Sequence, residues 1–329
     1  MSWTASAPSE RHDGPVPLLL PMLATSGTHV PTGEDWCHEV KWDGVRALAT
    51  VGSSGVRLTS RNGNDITGAW PELTVTAPPT LQDLVVDGEI IALNENGLPD
   101  FRVLAERIHV RKATTVARLA ERVPATYMAF DLLRHDGEDL TIKPLSERRA
   151  RLAALDLGGS GWQVPGTYDD GGMLFDATRS QGLEGIVSKR RDSRYRPGER
   201  TQNWLKFAHR HRASYVVGGW RQQTGGTHLA ALLVGQPTAA GLLYRGRVGS
   251  GIGPRQSRVL ADLVAPLTRS ASPFVDEVPK VDAHGTTWLE PRLVVDIDTH
   301  GSGYDRLRQP SYQGVRSDLS PGDLRAADE

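Results

Sequence analysis

The chain has 329 residues, 38% hydrophobic and 23% charged, with 38 Lys and Arg against 39 Asp and Glu. This length predicts one large domain with a smaller one, or two domains of similar size. The formal net charge of −1 gives no indication of a nucleic-acid partner and does not exclude one, because a basic groove can be offset by acidic surface elsewhere. One cysteine, Cys37, excludes an internal disulfide framework and a cysteine-based zinc site.

The N-terminal stretch carries no pattern of a folded element. Its apolar run over 16–23 contains Pro17 and Pro21 and lacks the basic start of a signal peptide. No run in the chain approaches the ~20 apolar residues that a membrane-spanning helix needs. We therefore expect a flexible leader over 1–20 and a cytoplasmic protein with no membrane partner.

Between 21 and 208, short apolar runs of the strand type alternate with amphipathic helical patterns. Turn dipeptides such as Asn62-Gly63 and Asp136-Gly137 separate them. The patterns predict, in chain order, strands over 37–41, 46–51, 56–60 and 84–93, a helix over 101–107, a strand over 125–132, helices over 146–155 and 172–181, and a strand over 185–189.

The pattern changes after Phe207, where strands with Gly-rich connections and a helix follow. This content suits a small Greek-key barrel such as an OB-fold. The basic stretch 209–212 predicts the domain boundary, either as a hinge or as an ordinary solvated turn. We expect an α+β chain with one domain over 21–208 and a second over 209–329. The second domain is predicted to contain strands over 215–219, 228–234, 242–248 and 292–298 and a helix over 256–267.

A lysine with the chemistry of a nucleophile follows the first predicted strand, in a K-x-D-G pattern at 41–44. The amine of Lys41 can attack a phosphorus or carbonyl centre only when it is unprotonated, so it needs neighbouring cations or desolvation. The turn at Asp43-Gly44 lets the backbone approach a ligand closely. Taken alone, the pattern fits a solvated surface hairpin better than a catalytic site.

Further fragments place polar side chains inside or at the ends of predicted strands. Carboxylates within an apolar strand, such as those of Asp87 and Glu89, are costly to bury unless they are paired or bind a metal. Each fragment alone fits a structural role as a cap, a turn or plain core. The fragments are Ser60-Arg61-Asn62-Gly63, Asp87-Gly88-Glu89, Phe130-Asp131, the stretch 184–189 and Trp204-Leu205-Lys206.

In this order and spacing, the fragments resemble the motifs of the covalent nucleotidyltransferase superfamily, which contains ATP-dependent DNA ligases, RNA ligases and mRNA capping enzymes. The stretches 21–24, 144–149, 182–190 and 195–200 are most similar to the ligase module of bacterial non-homologous end-joining ligases and of their small stand-alone relatives. The resemblance extends over 20–321. It implies a nucleotidyltransferase domain of ATP-grasp-like antiparallel sheets with flanking helices, followed by an OB-fold β-barrel.

By this resemblance, Lys41 is the nucleophile that takes AMP from ATP. Glu39 would help to read the adenine edge, and Phe130 and Ile186 would enclose the ring. The remaining roles concern phosphate and metal, with Arg46 and Arg61 on the ribose and phosphates, Lys206 on the α-phosphate, and Glu89 and Glu184 on Mg²⁺ or Mn²⁺.

The C-terminal stretch 307–318 resembles the last motif of the family, in which Arg316 and Asp318 would meet the β- and γ-phosphates of ATP. The implied function is ATP-dependent sealing of 5′-phosphate/3′-hydroxyl nicks through lysyl-AMP and DNA-adenylate intermediates, in DNA repair. Nicked duplex DNA would be the partner of a nucleoid-associated monomer. The resemblance leaves open a Ku-like end-binding protein or a separate repair polymerase as a protein partner.

Two positions depart from the family pattern. The family has lysine where this chain has Ala208 and Leu319, so the shell around the triphosphate loses positive charge. A hydrogen bond to a charged group contributes about 1.5–3 kcal/mol, so the loss of one is expected to slow adenylation ~10- to 100-fold. Two alternatives stay open beside the DNA ligase. One is an RNA ligase or capping-type nucleotidyltransferase, which a comparison of GTP with ATP would separate, and the other is a catalytically weak or inactive DNA-binding homologue.

Overall fold

The computed structural model describes residues 19–75, 83–155, 157, 161–223, 225–226, 228–300 and 305–324. The predicted leader over 1–20 lies outside the described residues except for its last two positions. The contacts divide the chain into two compact units, 1–208 and 209–329, which we call unit 1 and unit 2. Within the described ranges, no helix combines the length and the apolar character needed to cross a membrane.

Unit 1 combines strands with short amphipathic helices. Its strands are β1 (Leu23–Ser26), β2 (Trp36–Val40), β3 (Val45–Gly52), β4 (Gly55–Ser60), β5 (Leu84–Ile91), β6 (Thr126–His135), β7 (Glu138–Asp139), β8 (Trp162–Gln163), β9 (Gly185–Arg190) and β10 (Arg200–Ala208). Its helices are α1 (Pro71–Val75), α2 (Phe101–Ile108), α3 (Ala113–Arg122), α4 (Leu145–Ala154) and α5 (Gly171–Ser180).

The strands of unit 1 form two sheets. One has four strands in the order β1-β10-β9-β2, and the other has six, in the order β4-β3-β5-β6-β7 with β8 paired to β6. All pairs are antiparallel except β1 with β10 and β6 with β8. The predicted antiparallel sheets with flanking helices are confirmed, with two parallel pairs added at their edges.

The core of unit 1 follows from the alternation of side chains along the strands. On β3, Leu48 faces a cluster that joins the two sheets and includes Trp204 of β10. Its neighbours Ala47 and Ala49 belong instead to the larger core, onto which the helices pack residues such as Leu104. The six-stranded sheet is therefore covered by helices on one face and packs against the other sheet on the opposite face.

The elements predicted over 37–189 all occur in unit 1, with ends shifted by at most three residues. The elements of unit 1 that were not predicted are the strands β1, β7, β8 and β10 and the helices α1 and α3. The longest missed strand is β10. The strand was missed because polar residues such as Arg200 and Lys206 interrupt its apolar pattern, and the structure shows these residues lining a cavity. Functional positions often break local sequence rules in this way.

Unit 2 contains a further group of strands and two helices within its described residues. The strands are β11 (Arg210–Gln222), β12 (Leu229–Thr238), β13 (Gly241–Val248), β14 (Thr268–Arg269), β15 (Thr286–Leu289), β16 (Val294–His300) and β17 (Ser311–Val315). The helices are α6 (Pro254–Val264) and α7 (Lys280–Ala283).

The strands of unit 2 close into a barrel. Strand β11 pairs with β12 and with β16, β12 pairs with β13, and β16 pairs with β17. A parallel bridge between Ser250 and Ser311 joins the end of β13 to the start of β17. The order β11-β12-β13-β17-β16, with α6 between its third and fourth strands in sequence, confirms the OB-fold.

Most of the basic stretch 209–212 is a strand and not a turn. Only His209 lies outside the strands, because β11 begins at Arg210 and pairs with β16 from there. The Arg212 guanidinium donates to the Asp298 carboxylate, with Nε 2.7 Å from Oδ1. The turn, one of the two alternatives from sequence, was wrong because the partner that makes this charged stretch a strand lies 86 residues away along the chain.

Candidate active site

A cavity of about 220 Å³ in unit 1 is lined by residues of both sheets. It brings together the predicted site residues Glu39, Lys41, Arg46, Arg61, Glu89, Phe130 and Lys206. The lining also includes residues to which the sequence assigned no role, namely Leu23, Ala24, Val40, Trp42, Val187, Lys189, Arg200 and Trp204.

Strand register explains the floor of this cavity. On β2 the side chains of Cys37 and Glu39 share one face, because alternate residues of a strand point to the same side. Cys37 is paired with Lys189, and Glu39 with Val187. On the next strand, Lys189 is paired with Trp204 and Val187 with Lys206. Two rows of side chains therefore cross the sheet, Cys37–Lys189–Trp204 and Glu39–Val187–Lys206.

Lys41 sits immediately after β2, where its backbone is fixed by two neighbours. Its N–H donates to the carbonyl oxygen of Gly185 at 2.8 Å. At Gly44 a Cβ atom would lie only 2.2 Å from the carbonyl oxygen of Ile90, so the turn after Lys41 needs glycine to approach β5. The Nζ atom of Lys41 lies 2.5 Å from Oε1 of Glu184. The predicted nucleophile is thus held at the cavity by an ion pair with a predicted metal ligand.

Glu39 is buried, and its carboxylate lies close to two cationic side chains. Its Oε2 accepts from Lys189 Nζ at 2.7 Å, and its Oε1 lies 3.7 Å from Arg149 Nε. Oε1 has no hydrogen-bond partner among the described residues, although a buried acceptor without a partner is costly. Lys189 Nζ also lies 4.3 Å from the ring centroids of both Phe130 and Trp204. Glu39 is therefore a buried carboxylate that lines the cavity and has one oxygen that no described hydrogen bond uses.

Arg46 projects from β3 against the wall formed by Phe130, with its guanidinium carbon 4.6 Å from the ring centroid. Its Nε and Nη2 atoms each donate to the carboxylate of Asp87 at 2.6 Å. Burial by itself would lower the pKa of Arg46. The charge and hydrogen bonds of the adjacent Asp87 carboxylate outweigh this effect, so the pKa of Arg46 is raised. The sequence identified Asp87 only as part of a motif, and the structure shows that it orients Arg46.

Two carboxylates in this region fit a divalent cation. Glu89 shares the cavity-facing side of β5 with Asp87, and burial raises its pKa to about 8, with Glu184 and Asp87 acting in the same direction. The described residues contain no cluster of three or more His, Cys, Asp and Glu side chains that could hold a metal. Mg²⁺ is usually held by one or two protein carboxylates, and substrate phosphates and water take its remaining positions. The pair Glu89 and Glu184 fits this pattern.

The structure does not bring Ile186 to the cavity. Ile186 is fully buried on the opposite face of β9, where it packs with Leu174 and Phe207. The adjacent residue, Val187, lines the cavity in the same row as Glu39 and Lys206. The sequence indicated an apolar residue at this point, but it could not decide which of the two neighbours faces the ligand, because a shift of one residue exchanges the faces.

Lys206 and Ala208 occupy the cavity-facing side of β10. Burial lowers the pKa of Lys206, and the charges of Lys41, Arg200 and Arg61 lower it further. Ala208 pairs with Gly185, which itself accepts the backbone hydrogen bond of Lys41. The position at which the family carries lysine thus lies beside the predicted nucleophile.

The last predicted site residues lie in unit 2, at and just after the end of β17. Arg316 Nε and Nη2 donate to the Asp318 carboxylate at 2.8 and 2.7 Å, and Arg316 Nη1 lies 3.4 Å from Asp296. Leu319 packs against the apolar cluster around Tyr244 and Phe274. The departure at 319 therefore has a structural role in this chain, whereas the alanine at 208 has none that the described contacts reveal.

Known proteins share both units of this chain. Residues 21–207 match the ATP dependent DNA ligase domain, and residues 225–319 match the ATP dependent DNA ligase C terminal region. The chain is 36% identical over 312 residues to the multifunctional non-homologous end joining DNA repair protein LigD of Mycobacterium tuberculosis. The aligned residues are 93% of this chain and 39% of that protein. The chain therefore spans about two fifths of the length of that relative.

Two further comparisons cover a larger share of the other protein. DNA ligase C of Mycobacterium tuberculosis is 35% identical over 260 residues, which are 75% of this chain and 71% of that protein. A solved structure, mycobacterial DNA ligase D complexed with ATP and MES, is 36% identical and matches with a TM-score of 0.55 over 93% of this chain and 97% of that chain. The matched domains and these relatives show that the chain belongs to the ATP-dependent DNA ligase family.

Proposed function

We propose that this chain seals nicks in duplex DNA with ATP, by way of an AMP adduct on Lys41. The observation that carries the proposal is the position of Lys41 at a cavity that also presents cations to phosphate, an aromatic wall and the unused acceptor of Glu39. Phosphoryl-type transfer depends mainly on such positioning and on positive charge around the reacting phosphate. Family membership supports the reaction class, and the assignment of roles to individual residues is our proposal.

In the proposed first step, the Lys41 amine attacks the α-phosphorus of ATP, a P–N bond forms, and the P–O bond to pyrophosphate breaks. Arg46 and Lys206 bind the negative charge of the phosphates, and Glu39 Oε1 accepts from the adenine amine. A divalent cation held by Glu89 and Glu184 would neutralise phosphate charge. In the next steps the nick 5′-phosphate takes the AMP from Lys41, and the 3′-hydroxyl then displaces AMP to form the phosphodiester.

The names of the relatives support a proposal for the substrate and its setting. The relative LigD is named for non-homologous end joining and DNA repair, so we propose nicked duplex DNA with a repair role, in the cytoplasm at the nucleoid. A Ku-like end-binding protein or a separate repair polymerase is the partner we would test first, by stimulation of sealing on linear DNA. Arg316 and Asp318 are proposed to act on the β- and γ-phosphates, as in the family motif that they resemble.

The experiment that tests the proposal measures intact mass and nick sealing with the same purified protein. We expect incubation with ATP and Mg²⁺ to add the mass of one AMP and to seal a 5′-phosphate nick in DNA. A GMP adduct formed from GTP, in place of an AMP adduct formed from ATP, would point to the capping-type alternative, and preferential sealing of an RNA strand would point to an RNA ligase. A folded protein with no adduct under several divalent metals would contradict the proposal and support the inactive homologue.

Replacing Val187 with alanine is expected to raise KM for ATP about 5- to 15-fold with little change in kcat. The loss of two methyl groups removes contact area with the base, which is worth ~0.8 kcal/mol per carbon, and binding lost equally in ground and transition states changes KM alone. The matched control is Ile186→Val, which we expect to lower stability by ~0.5–1.5 kcal/mol and to leave KM unchanged. Steady-state adenylation kinetics decide the case, and the reverse pattern would restore Ile186 as the residue that contacts the base.

Replacing Ala208 with lysine is expected to accelerate lysyl-AMP formation ~10- to 100-fold. The added ammonium group would extend from the cavity-facing side of β10, next to Gly185 and Lys41. The measurement is the single-turnover rate of adduct formation. Ala208→Met controls for side-chain length without charge, and equal rates for the two variants would show that charge at 208 does not matter.

A further inference from the structure

A buried tyrosine outside the predicted site closes a ring of hydrogen bonds around Arg46. The Tyr195 hydroxyl donates to Asp87 Oδ2 at 2.6 Å and accepts from the backbone N–H of Met22 at 2.9 Å. The same carboxylate accepts from two nitrogens of Arg46, and Arg46 Nη2 donates to the carbonyl oxygen of Met22 at 3.3 Å. The ring therefore connects Met22, Tyr195, Asp87 and Arg46 without a gap.

The tyrosine itself is held in one orientation. Its ring lies edge-on to Trp204, with centroids 5.8 Å apart and an interplanar angle of 79°. Its backbone N–H donates to the carbonyl oxygen of Thr141 at 2.9 Å. Tyr195 is 3% exposed and Asp87 is 0% exposed, so bulk water cannot easily replace a lost hydroxyl at this position. The hydroxyl is thus a fixed donor to the Asp87 carboxylate.

A fixed carboxylate determines how Arg46 faces the cavity. A guanidinium that donates through Nε and Nη2 to one carboxylate has its plane set by that carboxylate. The hydrogen bonds of the described residues use these two nitrogens of Arg46, and Nη1 points away from the pair. If Asp87 could rotate, Arg46 would rotate with it against the Phe130 ring.

We propose that Tyr195 is a positioning residue for Arg46: its hydroxyl fixes the Asp87 carboxylate and thereby presents Arg46 to a phosphate-bearing ligand in the cavity. The inference rests on the proposed function, because that ligand is ATP in adenylation and the 5′-phosphate of the nick in the later steps. Tyr195 touches neither ligand in this account. Its effect passes entirely through Asp87 and Arg46.

The first test is Tyr195→Phe, which keeps the ring and removes only the hydroxyl. We expect kcat/KM for adenylation to fall about 10- to 100-fold, as for loss of a hydrogen bond to a charged group. The matched control is Tyr244→Phe in unit 2, which removes another buried tyrosine hydroxyl that donates to a carboxylate, Asp282 Oδ2, at 2.9 Å. This control is expected to keep the wild-type rate, and an equal loss in both variants would overturn the proposal.

A double-variant comparison separates positioning from general stability. In an Arg46→Lys background, which cannot make the two-nitrogen contact with Asp87, Tyr195→Phe is expected to cost less than about twofold, because residues that act through one another are not additive. A cost equal to that in the wild-type background would show that Tyr195 acts independently of Arg46 and would overturn the proposal.

A measurement that does not depend on catalysis keeps this inference distinct from the proposed function. The measurement is the NMR signal of the Arg46 Nε–H proton, which is assigned by its absence in Arg46→Lys. We expect this proton to exchange slowly with water in the wild-type protein and at least about tenfold faster in Tyr195→Phe. Unchanged exchange would overturn the positioning role. Faster exchange in a protein that forms no AMP adduct would support the positioning role while contradicting the ligase proposal.

Discussion

Lys41→Arg is expected to form no detectable AMP adduct, a loss of more than about 10³-fold relative to the wild-type protein. Arginine can keep the ion pair with Glu184, which lies 2.5 Å from the lysine, but its guanidinium stays protonated and has no nucleophilic lone pair. Intact mass after incubation with ATP and Mg²⁺ measures the result. The substitution therefore removes the nucleophile and leaves the charge in place.

Two comparisons make this result specific. Sealing of a pre-adenylated nick is expected to persist in Lys41→Arg, because the lysine amine is used only to form and pass on the adduct. Lys112→Arg, at an exposed position on the surface of unit 1, should form the adduct at the wild-type rate. An adduct that persists in Lys41→Arg would show that another lysine is the nucleophile. Lys206 and Lys189 are the candidates, because they line the same cavity.

Asp131→Ala is expected to destabilise unit 1 by about 3–5 kcal/mol, because it leaves a buried guanidinium without its carboxylate. Asp131 and Arg148 are both 0% exposed and share two hydrogen bonds of 2.7 and 2.8 Å. For a domain of this size the thermal midpoint should fall by about 6–20 °C. Calorimetry of the purified protein measures the shift.

The origin of that loss can be checked with a second substitution. Asp131→Ala combined with Arg148→Met removes the charge together with its partner and is expected to recover part of the stability. Glu106→Ala breaks an exposed ion pair with Arg122 and should change the midpoint little, since such pairs gain little in water. Arg148 Nη1 also donates to the carbonyl oxygens of Lys143 and Ser193. A double variant less stable than Asp131→Ala would show that these contacts matter more than the charge of Arg148.

Much of the fold was predictable because apolar periodicity is a local property of the chain. The apolar runs over 84–93 and 125–132 predicted β5 and β6, and the pattern over 256–267 predicted α6 together with the 3-10 turn over 265–267 that follows it. The pattern was not sufficient where polar residues face a cavity, as on β10, or where charges are paired across a sheet, as between Arg212 and Asp298. In both cases the missing information was the identity of a distant neighbour.

In the candidate site, too, the sequence predicted some residues and the contacts between strands decided others. The motifs indicated Lys41, Glu39, Arg46 and Lys206, which all line one cavity. The register of β2, β9 and β10 places Glu39 and Lys206 in one row, and Arg46 reaches the cavity from β3 of the other sheet. The motif at 184–189 could not distinguish Ile186 from Val187, because adjacent residues of a strand point to opposite faces. Only pairing with the neighbouring strands decided between them.

By itself, the sequence identified the family through the order and spacing of its motifs. It also predicted the two domains and the residues proposed to carry charge and nucleophilic chemistry, because motif spacing and periodicity are local properties of the chain. The tertiary structure alone decided that Val187 faces the cavity, that Lys189 and Arg149 clamp Glu39, and that Tyr195 fixes the carboxylate behind Arg46. These contacts join residues that are distant in the sequence. The free energy of such pairs depends on burial and distance, which exist only once the sheets have packed.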